Sequence, residues 1–267
     1  MTHGRSATLA PAPLAPAIRA GPGYWLSSLW WMLRFDFGQA RQWAATMVLV
    51  QVLMGSGMAL MYGFFYPRVT PVIAAYIATG TPALALIPLG FVMLPGQVGQ
   101  QKLAGTFDFI WSLPVPRTAQ AMSTFLLYTV LSLPGMVLAL VVATFRYGVT
   151  LSISPEIAPA AVLCSLMAVS VGFGMALAIP NPMITNVITN TLVFVVLLFS
   201  PIVFPPGNLP GWLFAVHRAL PFYNMAVVIR AGLTHGLVTG VTQSFLILTA
   251  WTVAASAVTA WVVGRRR

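Results

Sequence analysis

The sequence predicts an all-α polytopic membrane protein: six transmembrane helices, an N-terminal interfacial amphipathic helix, and a re-entrant helical hairpin between spans five and six. Three observations predict it. Charged residues make up 6% of the chain, against about 25% in ordinary soluble domains, as expected where hydrocarbon penalises charge. Apolar residues gather into six stretches, each of roughly 20 residues, the length a helix needs to cross a bilayer core of about 30 Å. Three further segments, Tyr24–Trp43, Gly96–Thr118 and Ser200–Gly240, break that pattern in distinct ways.

Residues 1–23 hold Pro11, Pro13 and Pro16 and lack the apolar core of a secretion signal, so a disordered cytoplasmic tail is expected. In Tyr24–Trp43, Leu26, Leu29, Trp30, Leu33, Phe37 and Ala40 recur at helical spacing, with Ser27, Arg34, Gly38, Arg41 and Gln42 off that face. Trp25, Trp31 and Trp43 suit a headgroup boundary. The segment reads as a surface helix, either a plain anchor or an elbow that contacts a partner. The spans follow at Ala44–Phe65, Val72–Leu94, Ala119–Phe145, Ile157–Ile179, Ile184–Val203 and Val241–Val263. Pro82, Pro88 and Pro134 lie inside spans two and three and should kink them.

Gly96–Thr118 carries Lys102, Asp108 and Arg117, with Leu103, Phe107 and Ile110 at helical spacing before Pro114 and Pro116. It reads as a short amphipathic helix in a loop. A solvated connector is the other reading, but Phe107, Phe109, Ile110 and Trp111 would then lack a partner. Ser200–Gly240 is too apolar for a watery loop, and Pro201, Pro205, Pro206, Pro210 and Pro221 cut it too short to span; short helices dipping in from outside fit it. Gly232, Gly236 and Gly240 sit four apart, as a packing seam or as turn glycines.

Nine Lys or Arg residues fall on the side of the N-terminus; Arg68, Arg146, Arg218 and Arg230 fall on the other. This places both termini in the cytoplasm of a plasma (inner) membrane protein. The net charge of +10 flanks spans and forms no basic stripe, so nucleic acid is not expected as a partner. Cys164 is the sole cysteine, and the three histidines are scattered, which leaves no disulfide and no metal site. The spans hold no acidic or basic residue, which removes the proton relay of an ion-driven carrier. No acid, base or metal cluster supports the alternative of a membrane-embedded transferase, and no phosphate-binding loop motif occurs.

Two motifs carry a family resemblance. One is Gln100-Gln101-Lys102-Leu103-Ala104-Gly105-Thr106, followed by Leu113-Pro114 and Arg117; the other is Pro201, Phe204-Pro205, Leu209-Pro210-Gly211-Trp212, Pro221 and Arg230-Ala231-Gly232-Leu233. Together they resemble the permease subunit of ABC-2 type exporters, the group of the daunorubicin-resistance permeases, over residues 24–267. The resemblance implies a transmembrane domain over those residues, with a coupling loop at 96–118 and an external hairpin at 200–240. Two permease subunits, identical or paralogous, would form a pore over two copies of a separate ABC ATPase subunit, which would bind ATP and Mg, leaving this chain without a cofactor. Gln101, Lys102, Gly105, Thr106, Phe107, Asp108, Trp111, Pro114 and Arg117 would couple to that ATPase, and Phe204, Pro205, Pro210 and Trp212 would form the external gate. Gln97, Gln100 and Gln101 stand where the family often has Glu and Arg, shifting weight from ion pairs to Phe107, Ile110 and Trp111.

For an exporter, Gln51, Asn186 and Asn190 are candidates for the translocation path; Asn186 and Asn190 share a helical face. Interhelical hydrogen bonding is the competing role for them. The apolar spans favour a hydrophobic drug-like or lipid-like substrate, while Phe194, Phe199 and Phe204 keep a polysaccharide or glycolipid open.

Overall fold

A computed structural model describes residues 21–66 and 68–265, and among them there is no strand. The expected tail, residues 1–23, lies outside the described residues up to Ala20; Pro22 and Gly23 already belong to the first helix. Proline suits that first turn because its missing N–H has no intrahelical partner there.

Helix α1 (Pro22–Ala40) packs on α6 (Arg117–Tyr147) through Ser28, Met32, Asp36 and Ala40, one stripe spaced by four. Leu26, Trp30 and Phe37, from the apolar face of the expected surface helix, are 60%, 59% and 42% exposed. The apolar face therefore points away from the protein, as suits a helix lying in a membrane surface.

Six helices are long and apolar enough to cross a membrane. They are α2 (Ala44–Phe64), the composite α3–α4 (Pro71–Leu103), α6, α7 (Ile157–Ala178), α8 (Pro182–Phe199) and α11 (Val241–Arg265). Thr70 caps α3 by accepting from the Ile73 N–H at 3.3 Å, and Asn181 caps α8 by accepting from Met183 N–H at 2.9 Å; each satisfies a donor the helix leaves open. Span five ends at Phe199, before Pro201, rather than at Val203.

The second span departs most from expectation. It runs past Leu94 to Leu103, through α3 (Pro71–Pro88), a π-helical turn (Leu89–Met93) and α4 (Leu94–Leu103). Pro82 and Pro88 sit inside helical structure. The π turn begins directly after Pro88 and closes with the Leu94 N–H on the Leu89 carbonyl, an insertion that absorbs the local mismatch without ending the helix. At 1.5 Å per residue this rod is about 50 Å long. It is also the most enclosed span, and α7 is next. The two cross at the π turn, where a Cβ on Gly172 would lie 1.9 Å from the Gly90 carbonyl oxygen. Glycine is required at that crossing because backbone meets backbone.

Two short helices, α9 (Gly211–Ala219) and α10 (Pro221–Leu233), bend by 79° at Leu220 and form the expected re-entrant hairpin. The Asn224 amide holds the bend by donating to the carbonyls of Arg218 and Leu220 at 3.0 and 2.7 Å. The three spaced glycines divide: Gly232 is a contact, since a Cβ there would lie 2.8 Å from Ile157 Cα, while Gly236 and Gly240 take φ +74 in turns.

Candidate functional site

Three regions hold the residues with functional potential: the segment 96–118 at the α1 end, the face of α8, and the hairpin at the far end. In the first, α4 leads to Gly105, whose φ of 71 turns the chain into α5 (Thr106–Ser112). Asp108 stands in the first turn of α5, where a carboxylate favours the helix dipole. Phe107 and Ile110 are 4% and 7% exposed, whereas Leu103 and Phe109 are 66% and 63% exposed. Phe107 stacks on Trp111 with ring centroids 4.8 Å apart. Lys102 Nζ lies 5.8 Å from the Phe107 ring centre, and the Arg117 guanidinium 5.2 Å from that of Trp111. Lys102, Phe107, Trp111 and Arg117 thus form one ladder, two stacked rings with a cation at each end, that braces the segment from inside.

Lys102 Nζ also donates to the carbonyls of Ala176 and, at 3.2 Å, Ile179, a cation at the C-terminus of α7 where the helix dipole favours it. The Tyr24 hydroxyl donates to the Pro114 carbonyl, and Trp25 Nε1 to Thr118 Oγ1 at 3.0 Å. The surface helix α1 is therefore tied to the chain just after α5. Of the residues that the resemblance implied would couple to an ATPase, Gly105, Thr106, Asp108 and Pro114 are exposed; Gln101, Lys102, Trp111 and Arg117 are half-buried, and Phe107 faces inward. Leu103 and Phe109 form the apolar outer face.

Behind the ladder lies a cavity of 50 Å³ lined by Asp36, Trp43, Gln97, Gln101 and Tyr128, among others. It is polar and large enough for ordered water. Trp43 Nε1 and the Tyr128 hydroxyl are buried without a protein partner. Asp36 accepts from the Ser123 hydroxyl. Burial raises its carboxyl from 3.8 to about 6, against the opposing pull of that hydrogen bond.

On α8 the polar residues separate by face. Thr185 and Thr189 are buried and bond back to the carbonyls of Asn181 and Asn186 at 3.1 and 3.2 Å. Asn186 is half-buried, and Asn190 is exposed, its amide donating to the Asn186 carbonyl at 2.8 Å. Asn190 shares an open stripe with Val187, Phe194 and Leu198, which are 66%, 65% and 70% exposed. Gln51 has no such surface. It is wholly buried, donates to the Leu131 carbonyl at 3.2 Å, and occupies the space a side chain on Gly135 would fill. It joins α2 to α6 and is closed off from any path along the protein surface.

At the hairpin, Phe204 and Pro205 are half-buried and Pro210 and Trp212 exposed. Sequence reasoning placed Arg230 among outer loop charges; the structure corrects this. Arg230 is fully buried on α10, donating from Nε to Thr79 Oγ1 at 2.9 Å and from Nη2 to the carbonyls of Ile202 at 2.6 Å and Tyr76 at 3.4 Å. Its guanidinium also lies 4.1 Å from the centre of the Tyr76 ring. A buried cation persists only with such partners. One side chain thus joins the hairpin, the break after α8, and span two. The signal was the position of Arg230 within an otherwise apolar helix, where an aqueous arginine has no place.

Among the described residues no group of three or more His, Cys, Asp or Glu could hold a metal. A family model described as ABC-2 type transporter matches residues 27–234, well over half of the chain. No curated protein matches the sequence.

Proposed function

The chain belongs to the ABC-2 type transporter family, and we propose that it is the permease subunit of an ATP-driven exporter, passing a hydrophobic drug-like or lipid-like substrate between two such subunits while a separate ABC ATPase supplies the work. Membership makes it a multi-pass membrane component of a transporter; the export direction, the substrate class and the separate ATPase are the proposal. The carrying observation is the rod Pro71–Leu103. One end delivers Leu103 beside the exposed Phe109 of α5. Toward the other, Tyr76 and Thr79 hold Arg230 of the hairpin.

In this reading α5 is the coupling helix and the side bearing α1 is cytoplasmic. Closure of two ATPase subunits pushes on Leu103 and Phe109, and the ladder from Lys102 to Arg117 keeps α5 from yielding. The push passes along the rod, whose π turn is seated on α7, and reaches the outer hairpin through Arg230. Burying Arg230 takes one basic residue out of the outer loops, which strengthens the charge asymmetry that orients the chain. The open stripe of α8 around Asn190 is the path wall, facing a second copy or a paralogue. Phe194 and Phe199, both exposed on α8, support a sugar-stacking path as a second reading.

The test is concentrative uptake into inside-out proteoliposomes. With the ATPase partner and ATP, an amphipathic dye or short-chain lipid should accumulate; the permease alone should give none. Accumulation without any ATPase would overturn the proposal. Preference for a lipid-linked oligosaccharide over both amphiphiles would favour the second reading.

A further inference from the structure

A groove of 420 Å³ opens between α6, α7 and α11, on helices separate from the α8 stripe. Its volume falls in the range of about 300–1,000 Å³ that accepts a drug-sized ligand. Its walls are almost wholly apolar, with Phe125, Leu126 and Leu166 among them, and Arg117 stands at its mouth. Arg117 begins α6, so by helical rise the stretch to Leu126 covers about 13 Å of depth, close to half of a bilayer core of roughly 30 Å. The groove thus extends inward from the α1 end of α6 over a length comparable to one leaflet. Arg117 is the only charged residue lining it, and no acidic residue does. The hydroxyl residues Thr118, Ser170, Thr252, Ser256 and Thr259 supply the rest of its polarity.

We propose that this groove binds one anionic phospholipid of the leaflet on the α1 side, with its phosphate at Arg117 and an acyl chain against Phe125 and Leu166. The assignment of that leaflet as cytoplasmic rests on the orientation proposed above; the site itself does not. A basic group between helices at the membrane surface is the chemistry that selects anionic headgroups. Arg117 also lies over the Trp111 ring, and its neighbour Thr118 accepts from Trp25 of α1. Lipid occupancy therefore bears on the brace of the coupling helix.

The experiment is native mass spectrometry of the full chain in detergent with phosphatidylglycerol or phosphatidylcholine of identical acyl chains. The wild type should retain phosphatidylglycerol about fivefold better, the preference expected of one basic contact. R117Q should lose that preference and R117K keep it. A260F, which fills the groove at a position away from the charge, should weaken both lipids while tryptophan fluorescence reports an unchanged fold. Water-soluble glycerophosphoglycerol should not compete. Equal retention of the two lipids, an R117Q preference matching wild type, or a loss of dimer in A260F with lipid binding intact would each overturn the assignment. The last outcome would mark the groove as a protein interface. No ATPase or flux enters the measurement, so its failure is separate from failure of the transport reading.

Discussion

Phe107 and Phe109 are two residues apart on a helix of about two turns, and the structure places them on opposite faces. Phe107, 4% exposed and stacked on Trp111, belongs to the interior, so F107A should cost about 3–5 kcal/mol of stability, as for other buried aromatics. Phe109, 63% exposed with Leu103 beside it, leaves little behind on truncation, and F109A should change stability by no more than about 0.5 kcal/mol. If it anchors the ATPase as a hot-spot residue does, F109A should lose about 2 kcal/mol or more of docking energy, roughly a 30-fold weaker complex. The assay pairs thermal unfolding of each purified variant with titration of the ATPase subunit and ATP-driven uptake in proteoliposomes. F109A should unfold like the wild type, bind the ATPase weakly and hydrolyse ATP without transport. F107A should unfold early. A stable F107A that binds poorly, together with an F109A of normal affinity and flux, would refute the assignment of faces.

Removing the Thr79 hydroxyl with T79V deprives the buried Arg230 of a charged hydrogen bond; a stability loss of about 1.5–3 kcal/mol is expected by thermal unfolding, with T249V, at an exposed hydroxyl bonded only within its own helix, as the neutral comparison. The Asp36 carboxyl, raised to about 6 by burial, binds its proton more tightly in the folded protein than in the unfolded one. Stability should therefore fall as pH rises from about 4 to 6 and stay level above, by at most about 3 kcal/mol. D36N should flatten that slope and unfold later at pH 7.5; an unchanged pH profile in D36N would count against it. A cysteine at the exposed Asn208, in a C164A background, should react with an impermeant thiol reagent on intact cells, because the buried Cys164 contributes no competing signal once removed. Labelling only after lysis would reverse the orientation.

The six spans, the surface helix and the re-entrant hairpin were legible in the sequence because each is a matter of local composition. A run of apolar residues must cross the bilayer whatever its neighbours do, and Pro201 or Pro221 stops a helix without outside help. The turn at Gly105 that opens α5 was legible for the same reason. Packing decided the rest. A seven-residue helix has too few turns for periodicity to tell Phe107 from Phe109, so only the position of Trp111 and α1 fixed which ring faces inward. Gln51 and Asn190 are both polar residues in apolar spans; contact with Gly135 enclosed one, and the lack of a neighbour over the middle of α8 left the other open. Arg230 was counted with loop charges, since no local feature states that Thr79, Tyr76 and Ile202, distant in sequence, will gather around it. Hydropathy acts residue by residue, whereas the burial of a charge depends on partners that only the folded chain brings within hydrogen-bonding distance.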